Sequence, residues 1–238
     1  MMTQSQQVVE VMRKLGGVAT FAKLNLATDF SGWKTKTPEA TVRRIVQENP
    51  AFFKIQPGLW ALEECREEIF AKFDLKTGSQ ATENQFNHSY YQGLILEIGN
   101  LRKMHTFVPN QDKNRLFLDK PLKNVASLPD VYPFAYSEIL RFAKTVDVIW
   151  FNNRKMPSAF FEVEHSTDIR NSLGKFYELQ DFHSEFYIIA PEHKARKFDD
   201  EINRSIFSEI EGRVRFVGYE KLSEMHTQEH KYVQARHF

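Results

Sequence analysis

The chain has 238 residues, and 32 Lys and Arg against 31 Asp and Glu give a net charge of +1. Hydrophobic residues make up 42% and charged residues 26%, which is globular composition and excludes a disordered chain and a uniformly basic one. The single cysteine, Cys65, excludes a disulfide framework and a paired-cysteine zinc site, and no apolar run approaches the roughly 18 residues of a membrane span. The start lacks the apolar core of a signal peptide, so a cytoplasmic chain without a membrane partner is expected.

Taken in order, the chain suggests three stretches: 1–62, a connecting helix and linker over 63–83, and 84–238. Residues 1–62 hold eight Lys and Arg against four acids. Val8, Val9, Met12 and Leu15 have helical spacing, and Gly16-Gly17 ends that helix. Residues 19–27 predict a second short helix. A third follows, with Thr37 as N-cap and Pro38 at the first helical position. Val42, Ile45 and Val46 form its buried stripe; Ala40, Arg43, Arg44 and Gln47 face outward. Residues 52–62 alternate and turn at Pro57-Gly58, which predicts a hairpin.

Three helices and a hairpin describe a small winged helix-turn-helix domain. Its third helix can enter a DNA major groove. Lys34, Lys36, Thr37, Arg43, Arg44 and Gln47 then become the DNA-binding candidates, with Arg suited to guanine and Gln to adenine. A solvated helix face on a protein-docking module is the competing reading. Trp33 and Trp60 are expected to pack. The stretch KTKTPEATVRRIVQENPAFFKIQPGLWAL resembles the winged-helix domain of chromatin regulators, also found fused to restriction endonucleases. The shared features are the TPEAT helix start and the closing GLWAL strand.

Residues 84–101 predict a helix with an apolar face at Tyr91, Leu94, Ile95 and Ile98. A strand is expected over 105–109, and little structure over 110–133. YSEILRFAK then leads into VDVIWF, a strand, and AFFEVE follows as the next. A helix is expected over 166–182, with Ser166 or Thr167 as its N-cap. A strand at 186–191, a helix at 193–210 and a last strand at 213–219 complete an α/β domain with a mixed sheet.

Two neighbouring strands carry acids. Glu162 and Glu164 are two apart and so share a face. Pairing as a hairpin would bring Asp147 beside them. Buried carboxylates repel one another unless a cation sits among them, and oxygen ligands suit Mg²⁺, with Mn²⁺ able to substitute. Such a cluster serves phosphodiester hydrolysis. Lys175, on the next helix, could add a positive charge near phosphate, although a surface lysine lying along the helix is the plainer reading. His165 falls on the opposite sheet face from Glu164 and reads as a packed histidine.

Asp147, fourteen intervening residues and then Glu162-Val163-Glu164 resemble the PD-(D/E)xK nuclease motif. That superfamily has the restriction endonuclease-like core, a mixed sheet flanked by helices. The resemblance implies that Asp147 and Glu162 bind metal. Glu164 stands where the superfamily usually has lysine, as in the Glu-x-Glu restriction endonucleases, and would orient water or join a second metal site. Glu97 matches an acid that the superfamily often places on its first helix. Expected from all this is a Mg²⁺-dependent endonuclease of restriction type acting on double-stranded DNA. Cutting both strands calls for two sites and hence a homodimer. A non-catalytic DNA-binding regulator and an RNA-directed nuclease remain alternatives.

Overall fold

The computed structural model describes residues 2–75, 79–165 and 168–236. The chain divides into two compact units. One comprises the residues up to Glu83 together with His230–Arg236, and the other Asn84–Glu229.

The first unit opens with helix α1 (Gln4–Lys14), which starts earlier than its apolar spacing suggests. Thr3 and Gln6 form a reciprocal capping box there, and Val8 and Met12 are buried. Gly16 and Gly17 take φ of +83° and +78° and turn the chain out of the helix. Residues 18–20 are strand β1 (Val18–Thr20) and not the start of a helix, so α2 covers only Phe21–Ala27. The strand exists because Val18–Thr20 pairs with residues 59–61, far along the chain. Helix α3 (Pro38–Glu48) buries Val42 and Val46. Thr37 stands at its N-cap, yet its side chain makes no capping hydrogen bond. Strands β2 (Phe52–Gln56) and β3 (Leu59–Leu62) form the expected hairpin, and the sheet order is β1-β3-β2. Trp33 and Trp60 both pack against this core. A short 3-10 turn leads into α4 (Arg66–Lys72).

Helix α5 (Gln80–Leu101) runs into the second unit. Strand β4 (His105–Phe107) follows, and then a small hairpin of β5 (Leu116–Phe117) and β6 (Lys120–Pro121), inside the stretch expected to lack structure. Next come α6 (Ser137–Ala143), β7 (Val148–Phe151), β8 (Pro157–Val163) and α7 (Ile169–Tyr177). Asp168 caps α7; the expected caps Ser166 and Thr167 lie outside the described residues. Strand β9 (Glu185–Ala190), helix α8 (Ala195–Ile202), strand β10 (Val214–Gly218) and helix α9 (Tyr219–Arg236) complete the order. The sequence reading made α7 and α8 too long and did not include α9.

The five strands lie in the order β10-β9-β8-β7-β4. β10, β9 and β8 are parallel neighbours, whereas β8, β7 and β4 are antiparallel. The second unit is thus a mixed α/β fold, its mixed sheet flanked by helices. On one face Ile149, Phe151, Phe160, Phe186 and Ile188 pack with Ala143, Leu173, Phe176 and Phe198 from α6, α7 and α8. On the other face Trp150 donates to the carbonyl of Ile95 on α5 at 3.2 Å. No helix among the described residues is long and apolar enough to cross a membrane.

Gly93 lets α5 approach the β5–β6 hairpin, since a Cβ there would collide with the Phe117 ring. Gly93→Ala is therefore expected to cost about 1–3 kcal/mol of stability, read from the urea unfolding midpoint.

Candidate active site

The antiparallel pairing of β7 and β8 decides the geometry. Val148 pairs with Phe161, so Asp147, one residue before β7, comes level with Glu162, near the end of β8. The Asp147 N–H donates to Glu162 Oε1 at 3.3 Å, and Val163 N–H donates to Asp147 Oδ2 at 2.7 Å. Glu162 has the strand parity of Phe160 and so points to the face of the sheet that α7 covers. It is 2% exposed and Asp147 6%.

That parity aims Glu162 at α7. Lys175 Nζ donates to both its oxygens, at 2.9 and 2.8 Å, and also to the carbonyl of Thr145 at 3.0 Å. The lysine is thus turned into the cluster and does not lie along the helix surface. Ser172, one turn earlier on α7, donates to Glu162 Oε2 at 3.1 Å and also contacts Glu164 Oε1. Glu162 and Glu164 therefore do share a side. Glu164 lies just past the strand, where its Oε2 accepts from Asp168 N–H at 3.3 Å.

Two further residues were not read from the sequence. His88 on α5 places Nε2 3.4 Å from Asp147 Oδ1 and 3.7 Å from Asp112 Oδ2. It belongs to the stripe of Tyr91 and Ile95, three and seven residues on, and that spacing was the available signal. Asp112 comes from the stretch expected to lack structure, yet is 2% exposed. Gln92 donates to its Oδ2 at 3.0 Å, and Arg115 Nε reaches its Oδ1 at 3.2 Å. Gln92 and His88 are distant in sequence, and a local Asp–Arg pair does not by itself mark a site.

Glu97 is not brought to this cluster. Nine residues beyond His88 on one helix, it lies about 13 Å along the axis. Its Oε2 instead meets His226 Nε2 at 2.7 Å. His165 is half-buried at the margin, stacked on Tyr219, with Nδ1 3.1 Å from the phenol oxygen. In the first unit Lys34, Lys36, Thr37, Arg43, Arg44 and Gln47 are all exposed. The Arg43 guanidinium lies 5.0 Å over the Phe21 ring, and Arg44 stands 3.9 Å from Glu48.

The electrostatics follow from burial and sign. Burial first, then the Asp147 charge, push the Glu162 carboxyl up to about 8, against the pull of Lys175. Burial works against the Lys175 ammonium, but Glu162 outweighs it and raises the lysine's pKa. Burial likewise opposes the His88 imidazolium, yet Asp147 and Asp112 raise it to about 10. Lys175 and His88 thus offset part of the acids' charge, and Arg115 pairs with Asp112. A cleft of about 370 Å³ opens over them, lined by His88, Arg115, Asp147, Glu162, Glu164 and Lys175 among others.

A pH dependence follows. His88 binds its proton more tightly folded than unfolded, so its contribution is full below the unfolded pKa of about 6.5. It is lost as pH rises toward 10. The chelator-treated protein should lose stability between pH 6.5 and 10, at up to about 1.4 kcal/mol per pH unit from this one proton. His88→Asn should flatten that slope in urea melts. An unchanged slope would show that His88 does not carry it.

Residues 70–236 match the family of the type II restriction enzyme NmeDI C-terminal domain. That span is more than half of the chain, and the chain belongs to this family. The type II restriction enzyme NmeDI of Neisseria meningitidis serogroup C is 26% identical over 153 residues, which covers 59% of this chain and 42% of the relative. The matched part is thus less than half of that curated relative's length. No solved structure matches the chain.

Proposed function

We propose that this chain is a metal-dependent DNA endonuclease of restriction type, with a PD-(D/E)xK-like nuclease domain over 84–238. The observation that carries this is the buried Asp147–Glu162–Lys175 cluster, in a chain belonging to a type II restriction enzyme family. Hydrolysis of a phosphodiester needs charge neutralisation at phosphate, an activated water and a stabilised leaving oxygen.

The donor set fits a hard cation. Asp147 and Glu162 offer carboxylate oxygens beside one cleft, where burial makes their negative charge costly without a counter-ion. Mg²⁺, or Mn²⁺ in its place, would be held by these two. When bound, it polarises a phosphoryl oxygen and lowers the pKa of a water. Lys175, from α7, supplies the positive charge that Glu164 cannot supply from the lysine position of the motif. Glu164, linked to Glu162 through Ser172, remains as the carboxylate that orients the attacking water.

In this reading residues 1–62 are a winged helix-turn-helix that binds duplex DNA through α3 and the segment before it. The exposure of Arg43, Arg44 and Gln47 on one helix supports it. Replacing both arginines with Ala should weaken binding about tenfold or more. If both meet phosphates, the slope of log affinity against log salt should fall by about 2. An unchanged band-shift titration at two salt concentrations would instead make this unit a protein-docking module.

A homodimer would supply the two sites that double-strand cleavage needs. Incubating varied phage and plasmid DNA with the chain and Mg²⁺ tests the function. Discrete fragments are expected. A smear would indicate a non-specific nuclease. Uncut DNA with intact binding would point to a DNA-binding regulator.

A further inference from the structure

We infer that His88, Asp112 and Asp147 form a second divalent-cation site, distinct from the Asp147–Glu162 pair and suited to a nitrogen-accepting ion such as Mn²⁺ in preference to Mg²⁺. This deepens the nuclease reading and rests on it for the first site.

Spacing is the first argument. One ligand atom from each residue lies within 4.8 Å of the others. The two separations from His88 Nε2, 3.4 and 3.7 Å, lie within a few tenths of an ångström of what one ion requires, on the long side. Ligand atoms about 2.1 Å from a common ion stand about 3.0 Å apart in adjacent octahedral positions and about 3.4 Å apart in a tetrahedron. No large rearrangement is therefore needed.

A second observation is independent of the acids. Gln92 is completely buried, and its amide is turned into this cluster. Its Nε2 donates to Asp112 Oδ2 and, at 3.1 Å, to the carbonyl of Asp147. It thereby braces both acids, as partners of metal ligands do. Its Oε1, on the same amide, is buried without a hydrogen-bond partner among the described residues. A cation's water ligand is a donor of the kind that this acceptor lacks.

The ligand types set the preference. Imidazole suits transition metals, whereas Mg²⁺ takes oxygen and keeps its waters. Arg115 does not close the site, since it engages the other oxygen of Asp112. Asp147 would be shared by the two ions, an arrangement that pairs of ions in phosphoryl-transfer sites use.

The test counts bound Mn²⁺ on the full chain, by electron paramagnetic resonance of the free ion at equilibrium. The parent should bind two Mn²⁺, of which excess Mg²⁺ displaces one readily and the other at least about tenfold less readily. His88→Ala and Asp112→Asn should each bind one ion fewer than the parent. Glu162→Gln should lose the other ion and keep the one that resists Mg²⁺. Far-ultraviolet circular dichroism of each variant without metal verifies folding, and Asp112→Asn keeps the side-chain shape if His88→Ala proves unstable. The inference is overturned if folded His88→Ala or Asp112→Asn binds as many Mn²⁺ as the parent. The nuclease reading fails separately, if Glu162→Gln cuts DNA as the parent does.

Discussion

Asp147→Asn and Glu162→Gln are each expected to lower DNA cleavage at least about 10²-fold while DNA binding persists. Both changes keep shape and remove charge. Asp147 and Glu162 meet across the β7–β8 hairpin, so either change removes half of the carboxylate pair that would hold the metal. Lys175→Met should cost about 10²–10³-fold, since it removes a preorganised cation beside the position of the phosphate. Lys175→Arg should recover only part of this, because a planar fork does not reproduce a point charge held against one carboxylate and one carbonyl. Quenched-flow cleavage and a parallel band-shift assay separate the two quantities. Equal cleavage by all three charge-removing variants would remove the cluster from the chemistry.

Lys175→Met is also expected to be the most destabilising of these changes. Glu162 is 2% exposed, and the lysine is its only cationic partner among the described hydrogen bonds. Breaking a buried pair by removing one partner costs about 3–5 kcal/mol. The orphaned acid can escape that cost by taking a proton, so the penalty must depend on pH. Burial and Asp147 already push Glu162 up to about 8, and without Lys175 it rises further. A carboxyl whose folded pKa exceeds its unfolded value penalises the folded state once pH passes the unfolded value, near about 4.3. Glu162 keeps its proton in parent and variant alike up to about pH 8, so the extra loss in Lys175→Met should be small near pH 5 and open only above pH 8, reaching about 1.4 kcal/mol by pH 9. Combining Glu162→Gln with Lys175→Met removes both charges and should restore most of the stability. Urea melts with chelator at these two pH values would read it. A loss that does not vary with pH would contradict this origin.

The acids of the cluster were legible in the sequence because strand parity is strict. AFFEVE places Glu162 and Glu164 on one side, and a short connection between two apolar runs implies the hairpin that adds Asp147. What the sequence left open was the counter-charge. Lys175 sits on an amphipathic helix, where a lysine near the apolar face normally reaches water. Only the height of α7 over the end of β8 turns it onto Glu162. His88 continues an apolar stripe and so reads as packing, and Asp112 sits in a polar stretch, with its helix partners His88 and Gln92 20 or more residues away. Glu97 shows the converse case. Its residue type fits a metal ligand, but its place along α5 gives it to His226. Helix α9 was hidden for a related reason. Its buried positions are Tyr219, Leu222, Ser223 and His226, which have helical spacing but include two polar residues. Strand β1 is three residues long, too short to show a period before its partner is known.

The most direct test of metal-dependent cleavage is a time course on supercoiled plasmid DNA. The parent chain is supplied first with chelator and then with excess Mg²⁺ in the same tube. The expected result is intact plasmid while chelator holds the metal, followed by linear fragments once Mg²⁺ is in excess, and no such change with Glu162→Gln. Plasmid that stays intact with both Mg²⁺ and Mn²⁺ under conditions where the chain binds it, or that is cut equally well in chelator, would contradict the account.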